Sequence, residues 1–182
     1  MRKKIVMDSK GVERAIARVA HEIIERNKGV EGLVILGIPT RGCELALKLQ
    51  KKIADIEGVE LPVGAVDATL YRDDISIKKD QPPLKKMEIP ISIDGRTVVM
   101  VDDVLFTGRT IRAAMNALMD FGRPLAVQLA VLVDRGHREL PVKADYVGKN
   151  IPTSLEEDVK VRTEETDGVS EVVVMDAPKE GG

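Results

Sequence analysis

Apolar residues fall in blocks whose period changes along the chain. Val12, Ile16, Val19, Ala20, Ile23 and Ile24 recur at steps of three and four. This predicts an amphipathic helix capped by Asp8 or Ser9 and ended at Lys28-Gly29. Gly32 to Ile38 is a short apolar run, expected as a buried strand. Gly42 to about Ile56 returns to helical spacing with Leu45, Leu49, Ile53 and Ile56, and Val63 to Leu70 predicts a strand. Tyr71 to Ile89 breaks the pattern. It carries Arg72, Asp73, Asp74, Lys78, Lys79 and Asp80, then Pro82-Pro83, Lys85 and Lys86. A polar excursion of that length is too long for a plain connection. Asp94-Gly95 predicts a turn, Val98 to Val101 a buried strand, Gly108 to Phe121 a helix, and Ala126 to Val133 another strand. Shorter strands are expected near Asp145 to Gly148 and Glu171 to Met175.

Strands alternating with helices define an α/β fold with a mostly parallel central sheet flanked by helices. Ligands of such sheets bind beyond the carboxyl ends of the strands. The loops after Ile38, Val101 and Val133 meet at that edge.

Composition narrows the function. The chain has 182 residues, enough for one domain with a small added lobe. Aromatic residues are only 2% and Trp is absent, so stacking bases on an aromatic platform is disfavoured. Cys43 is the only cysteine, which excludes an intrachain disulfide and fits a reducing compartment. No apolar run is long enough for a membrane span or a signal peptide, and a cytoplasmic protein is expected. Net charge is -2. However, the stretch from Leu155 to Gly182 holds nine acids against three bases, leaving the remainder basic on balance. A local basic face is therefore compatible with the charge.

The segment Val98 to Thr110 carries the chemistry. An apolar strand delivers Asp102 and Asp103 to its end; Val104, Leu105 and Phe106 follow; then Thr107, Gly108, Arg109 and Thr110 open a helix. The first helical turn offers unpaired N–H groups and a positive dipole end. Gly108 permits close approach of an anion, and Thr107 and Thr110 add hydroxyl donors, making a phosphate cradle. The carboxylates suit ribose hydroxyls, developing positive charge on a sugar, or a magnesium ion held directly or through water. Alone, the acids could be a solvated turn and Thr-Gly a helix cap; their pairing points to a sugar phosphate. No Gly-Lys-Ser/Thr and no Gly-x-Gly-x-x-Gly occurs, so the P-loop and the dinucleotide fingerprint are excluded.

This segment resembles the phosphoribosyl pyrophosphate motif of type I phosphoribosyltransferases. Two more stretches are specific: Thr69 to Asp74, and Asp134 to Pro141 followed by Gly148 to Ser154. They resemble the bifunctional pyrimidine operon regulatory protein/uracil phosphoribosyltransferase family, from about Met7 to Gly168. The resemblance implies a single phosphoribosyltransferase domain over 1–182, with a hood lobe from about 150–182 and a mobile catalytic loop at about 71–89 that contains Arg72. It implies transfer of phosphoribose from phosphoribosyl pyrophosphate to uracil, giving UMP and pyrophosphate with Mg2+. It also implies UMP- or UTP-dependent binding to pyrimidine-operon leader mRNA, which attenuates transcription, and a homodimer or homotetramer.

Further residues follow from the same resemblance. Gly37 to Gly42 resembles the pyrophosphate loop, with Thr40, Arg41 and Gly42 holding the leaving group. Arg135 lines the nucleotide site, and Val159 offers its backbone to the pyrimidine. Arg14, Arg18 and His21 share one helix face by spacing. The resemblance assigns that face, with His137, Arg138 and Lys143, to RNA. Ala17 departs from the polar threonine common among relatives. Two alternatives remain: a nucleotide-sensing RNA binder with little turnover, and a purine-base phosphoribosyltransferase. Product formation across several bases separates them.

Overall fold

In a computed structural model, residues 3–69 and 89–177 are described. In chain order the elements are β1 (Lys3–Met7), α1 (Ser9–Asn27), β2 (Leu33–Gly37), α2 (Arg41–Glu57) and β3 (Val63–Ala65). Then come β4 (Thr97–Leu105), α3 (Arg109–Met119), β5 (Ala126–Asp134), β6 (Tyr146–Asn150), β7 (Glu157–Arg162), α4 (Glu164–Asp167) and β8 (Glu171–Asp176). The expected catalytic loop and Arg72 lie outside the described residues.

Five parallel strands in the order β3-β2-β4-β5-β6 form the central sheet. Every residue of β2 is buried, as expected for a parallel strand covered on both faces. Helices α1 and α2 bury Ile16, Ile23, Leu45, Leu49 and Ile53 against one face, where Ile35, Val99 and Val101 meet them. Helix α3 buries Ile111, Ala114 and Leu118 against the other, on Val34, Val98 and Met100. The connections from β2 and β4 thus leave in opposite directions, which makes the gap between them the topological switch point of the sheet.

A second sheet of three antiparallel strands, ordered β1-β8-β7, stands beside the first. Its apolar side, through Val159, Val161 and Val172, joins the core cluster of Val101, Val133 and Ile151. The hood was expected mainly from about 150–182. The three-stranded sheet also includes Lys3–Met7, which pairs along β8. Strands β1 and β7 were not anticipated. Both are outer strands with exposed charge, as at Lys3, Lys4 and Lys160, so neither presents an apolar run. The alternation Val159-Lys160-Val161 in β7 was a usable signal.

Two boundaries also move. The strand expected over Val63 to Leu70 stops at Ala65, and Asp67 then turns the chain by accepting from the Thr69 N–H at 2.9 Å and hydroxyl at 2.6 Å. Conversely, β4 continues past Val101 to Leu105, so Asp102 and Asp103 stand inside the strand's last turn of pairing. Helix α1 begins as expected: Asp8 accepts from the Gly11 N–H at 2.8 Å.

Candidate active site

The switch point assembles two helix N-termini. On one side, β2 runs into a short loop and α2 begins at Arg41, after Thr40. The Pro39-Thr40 peptide is cis. On the other, β4 ends and α3 begins at Arg109, after Gly108. The two approach closely because of Gly42: a Cβ there would stand 2.6 Å from the Val101 carbonyl and 3.3 Å from the Asp102 Cα. The pyrophosphate loop and the acid pair predicted from sequence are therefore in contact through a glycine.

Asp102 is buried at 6% exposure, while Asp103 and Val104 are half-buried. Asp102 Oδ1 accepts from the Asp103 N–H at 2.9 Å, and Asp103 Oδ1 from the Val104 N–H at 2.8 Å. These local bonds set each carboxylate against the backbone N–H of the next residue. Beyond them, Val104 to Ile111 and Glu139 line a groove of about 270 Å³. Leu105 is buried beneath it, and Phe106, Thr107, Arg109 and Thr110 are half-buried along it. Gly108 has φ 93°, a conformation that favours glycine, and a Cβ there would meet Val142 at 3.1 Å. The loop itself therefore requires a glycine here, independently of any anion.

The segment after β5 encloses this cradle from outside, a role the sequence did not disclose. The Arg135 N–H donates to the Leu105 carbonyl at 3.1 Å, and the Glu139 and Leu140 N–H groups to the Thr107 carbonyl at 3.0 and 3.2 Å. Arg138 Nη1 donates to the Phe106 carbonyl at 2.8 Å, while its Nε reaches the Val142 carbonyl and its Nη2 Asp134. Glu139 accepts from Arg109 Nε at 2.8 Å. Three successive carbonyls of the phosphate loop are held by one stretch of chain.

Arg135 is 5% exposed. Its guanidinium lies over the Phe106 ring, 4.0 Å from the centroid. It donates to Thr153 Oγ1, the Ser154 and Glu157 carbonyls and Asp158. Burial pushes its pKa down, with Asp158 and Glu157 opposing. It ties residues 153–158 to Phe106, and the partners of its guanidinium are protein groups. Val159 is buried at 6% and pairs with Val174, on a strand whose other edge faces away from β8.

The six residues expected to meet RNA fall in two places. Arg14, Arg18 and His21 are exposed on α1. Arg14 and Arg18 line a groove of about 590 Å³ with Ile5 to Asp8, Gly148 and Lys149. Arg18 is partly engaged: it pairs with Glu22 at 2.9 Å and donates to the Val147 and Gly148 carbonyls. His137 stands edge-on to Phe106, with ring centroids 6.0 Å apart, and its Nε2 meets the Thr153 carbonyl. Arg138 belongs to the wall of the phosphate cradle, not to a face apart from it. Lys143 is exposed.

Among the described residues no cluster of three or more His, Cys, Asp or Glu could hold a metal ion by itself. Two hard carboxylates match a magnesium ion that draws its other oxygens from substrate and water. No described helix is long and apolar enough to cross a membrane.

Residues 4–166 match the phosphoribosyl transferase domain family, and the chain belongs to that family. Its curated relatives include the "Bifunctional protein PyrR" of Pelotomaculum thermopropionicum, 56% identical over 94% of both chains. The protein of the same name from Halalkalibacterium halodurans is 53% identical over 94% of this chain and 96% of its own. The one from Thermoanaerobacter pseudethanolicus is 57% identical over 94% and 96%. At this identity and coverage the chain groups, within the family, with the bifunctional PyrR proteins. Among solved structures, a hypoxanthine phosphoribosyltransferase of Trypanosoma cruzi aligns with TM-score 0.72 at 21% identity, over 95% of this chain and 96% of that one. An enzyme from Leishmania tarentolae, in complex with GMP, aligns with TM-score 0.72 at 19% identity, over 97% of each. These two show the fold.

Proposed function

We propose that the protein is a uracil phosphoribosyltransferase that also binds pyrimidine-operon leader mRNA under control of UMP or UTP. The observation that carries the catalytic half is the acid pair at the end of β4 directly preceding the N-terminus of α3, with the N-terminus of α2 packed against it through Gly42. The 5′-phosphate of phosphoribosyl pyrophosphate occupies the Thr107–Thr110 cradle. The pyrophosphate lies at Thr40 to Gly42, where Arg41 adds positive charge. Between them, Asp102 and Asp103 face the ribose. Their negative charge stabilises the oxocarbenium character that develops as the bond to pyrophosphate breaks. Positioning of the base by the hood, with Arg135 and Val159, completes the alignment.

Asp102 and Asp103 would hold Mg2+, directly or through water, and the ion would neutralise charge on the departing pyrophosphate. Arg72 is proposed to close over that group.

The test is product formation from phosphoribosyl pyrophosphate with uracil, hypoxanthine, guanine and orotate. UMP as the dominant product is expected. A purine nucleotide as the dominant product would sink the assignment. Absence of turnover, with nucleotide still bound, would leave the sensing protein. The regulatory half is supported by the Arg14–Arg18 groove and by the PyrR relatives. A cytoplasmic homodimer or homotetramer is the expected assembly, checked by sedimentation.

A further inference from the structure

Helix α2 does more than point its N-terminus at the site. Arg41, Glu44 and Lys48, at spacings of three and four, share one face of it. Each meets one of three consecutive residues of α4. Arg41 Nε and Nη2 donate to Asp167 Oδ2 and Oδ1 at 3.1 and 2.9 Å. The Thr166 hydroxyl donates to Glu44 Oε1, and Lys48 Nζ lies 3.5 Å from Glu165. Only the first of these contacts reaches the phosphate-binding edge.

Asp167 is itself fixed from behind. Its Oδ2 accepts from the Thr163 N–H at 2.9 Å, and its own N–H donates to the Thr163 carbonyl at 2.7 Å. The carboxylate therefore has a defined direction before Arg41 arrives. Arg41 is two-thirds covered, with 33% of its side chain exposed, and Asp167 is at 20%. The hydrogen bonds to Asp167 raise the Arg41 pKa, with further contributions from the charges of Asp103 and Glu44. The guanidinium thus feels the charge of Asp103 while it is bonded to α4.

A planar fork held by two parallel bonds keeps one orientation. A free arginine at a helix N-terminus would have to lose its rotamer freedom when the anion arrives. We propose that Asp167 is a positioning residue, holding Arg41 at the mouth of the pyrophosphate loop so that the leaving group meets a pre-ordered guanidinium. This rests on the assignment of Gly37 to Gly42 as the pyrophosphate loop. It makes the hood, so far a base-binding lobe, a support for the opposite end of the substrate.

The test uses the full-length protein with inorganic pyrophosphate and magnesium, titrated by calorimetry, beside steady-state transfer to uracil. Variants are Asp167→Asn, Arg41→Met and the double substitution. Asp167→Asn is expected to weaken pyrophosphate about tenfold and to raise KM for phosphoribosyl pyrophosphate by a similar factor. The KM for uracil and kcat should stay within about twofold. The double variant should bind pyrophosphate no worse than Arg41→Met alone. Unchanged or tighter pyrophosphate binding in Asp167→Asn overturns the proposal; tighter binding would mean that the carboxylate competes for Arg41. Full additivity in the double variant overturns it as well. A uniform loss in both KM values with a lowered Tm assigns Asp167 to hood folding and likewise refutes it. Wild-type protein that binds pyrophosphate but forms no UMP defeats the uracil assignment and leaves the positioning role to be read from the calorimetry alone.

Discussion

At the scale of single residues, charge and backbone crowding separate function from support. Asp102 and Asp103 keep shape but lose charge when both become Asn. Loss of preorganised electrostatics at such a position costs roughly a hundredfold or more in turnover. We expect kcat for uracil transfer to fall by that order, with a smaller change in UMP affinity; normal turnover would remove the pair from the mechanism. Gly42 is a steric case. A methyl group there would press on the Val101 carbonyl at 2.6 Å, against backbone that cannot swing aside. Gly42→Ala should therefore destabilise the fold by about 1–3 kcal/mol in urea unfolding. Asp167 offers a pH signature. Its pKa is held low by the hydrogen bond from Arg41 and then by the Thr163 N–H. A depressed carboxylate contributes above its unfolded value and is lost as pH falls through its folded one. The Tm difference between wild type and Asp167→Asn should be constant from about pH 8 to 5, and shrink only below about pH 4.

At the scale of elements, the proposed phosphate loop is built by three segments: the end of β4, the start of α3, and the chain after β5. Arg135 shows how they depend on each other, since one guanidinium reaches Phe106, Thr153, Ser154, Glu157 and Asp158. Its replacement by Met leaves several acceptors unpaired, at a cost of about 2–4 kcal/mol. Chemical denaturation of Arg135→Met measures that loss. Gly108 cannot serve as a clean probe of the anion cradle, because φ and Val142 constrain it independently of any ligand. Thr110→Val preserves shape and removes one hydroxyl. It should weaken phosphoribosyl pyrophosphate about tenfold while Tm holds, because a hydrogen bond to a charged phosphate is lost. Unchanged affinity by calorimetry would place the phosphate elsewhere.

At the scale of the whole molecule, the two proposed roles draw on grooves with no lining residue in common. Arg14 and Arg18 lie in the groove beside β6, whereas His137 and Arg138 support the phosphate loop. Because Arg18 also braces Val147 and Gly148, Arg14→Gln is the cleaner variant. It should weaken leader RNA binding and flatten its salt slope by about 0.7, the value for one phosphate contact on a single strand. Uracil transfer should be unaffected. UMP should tighten RNA, and RNA should tighten UMP by the same factor. Filter binding against salt, with and without UMP, checks both; affinity indifferent to the variant and to the nucleotide would leave only an enzyme.

Sequence alone determined what depends on period and local chemistry. The helices α1, α2 and α3 and the strands β2 and β5 follow from apolar spacing, because their buried faces repeat at 3.6 or form continuous runs. A cap at Asp8 or Ser9 and a stop at Lys28-Gly29 follow from local hydrogen bonding and backbone freedom, and the fold selects Asp8. The Asp102 to Thr110 segment was legible because the acids and the helix start are adjacent in the chain. What tertiary structure decided is whatever requires partners far apart in sequence. The strand Lys3–Met7 exists because β8 pairs with it, 168 residues away by the Lys3–Glu171 hydrogen bond. Arg138 looks like a free surface cation in sequence and is a strut in the fold, because the Phe106 carbonyl lies 32 residues off. Asp167 gave no signal among the acids of the C-terminal stretch, since only folding sets it against Arg41, 126 residues away. Periodicity records burial, which each element carries in its own residues; the direction of a polar side chain is fixed by neighbours that the chain brings together only when the sheets have formed.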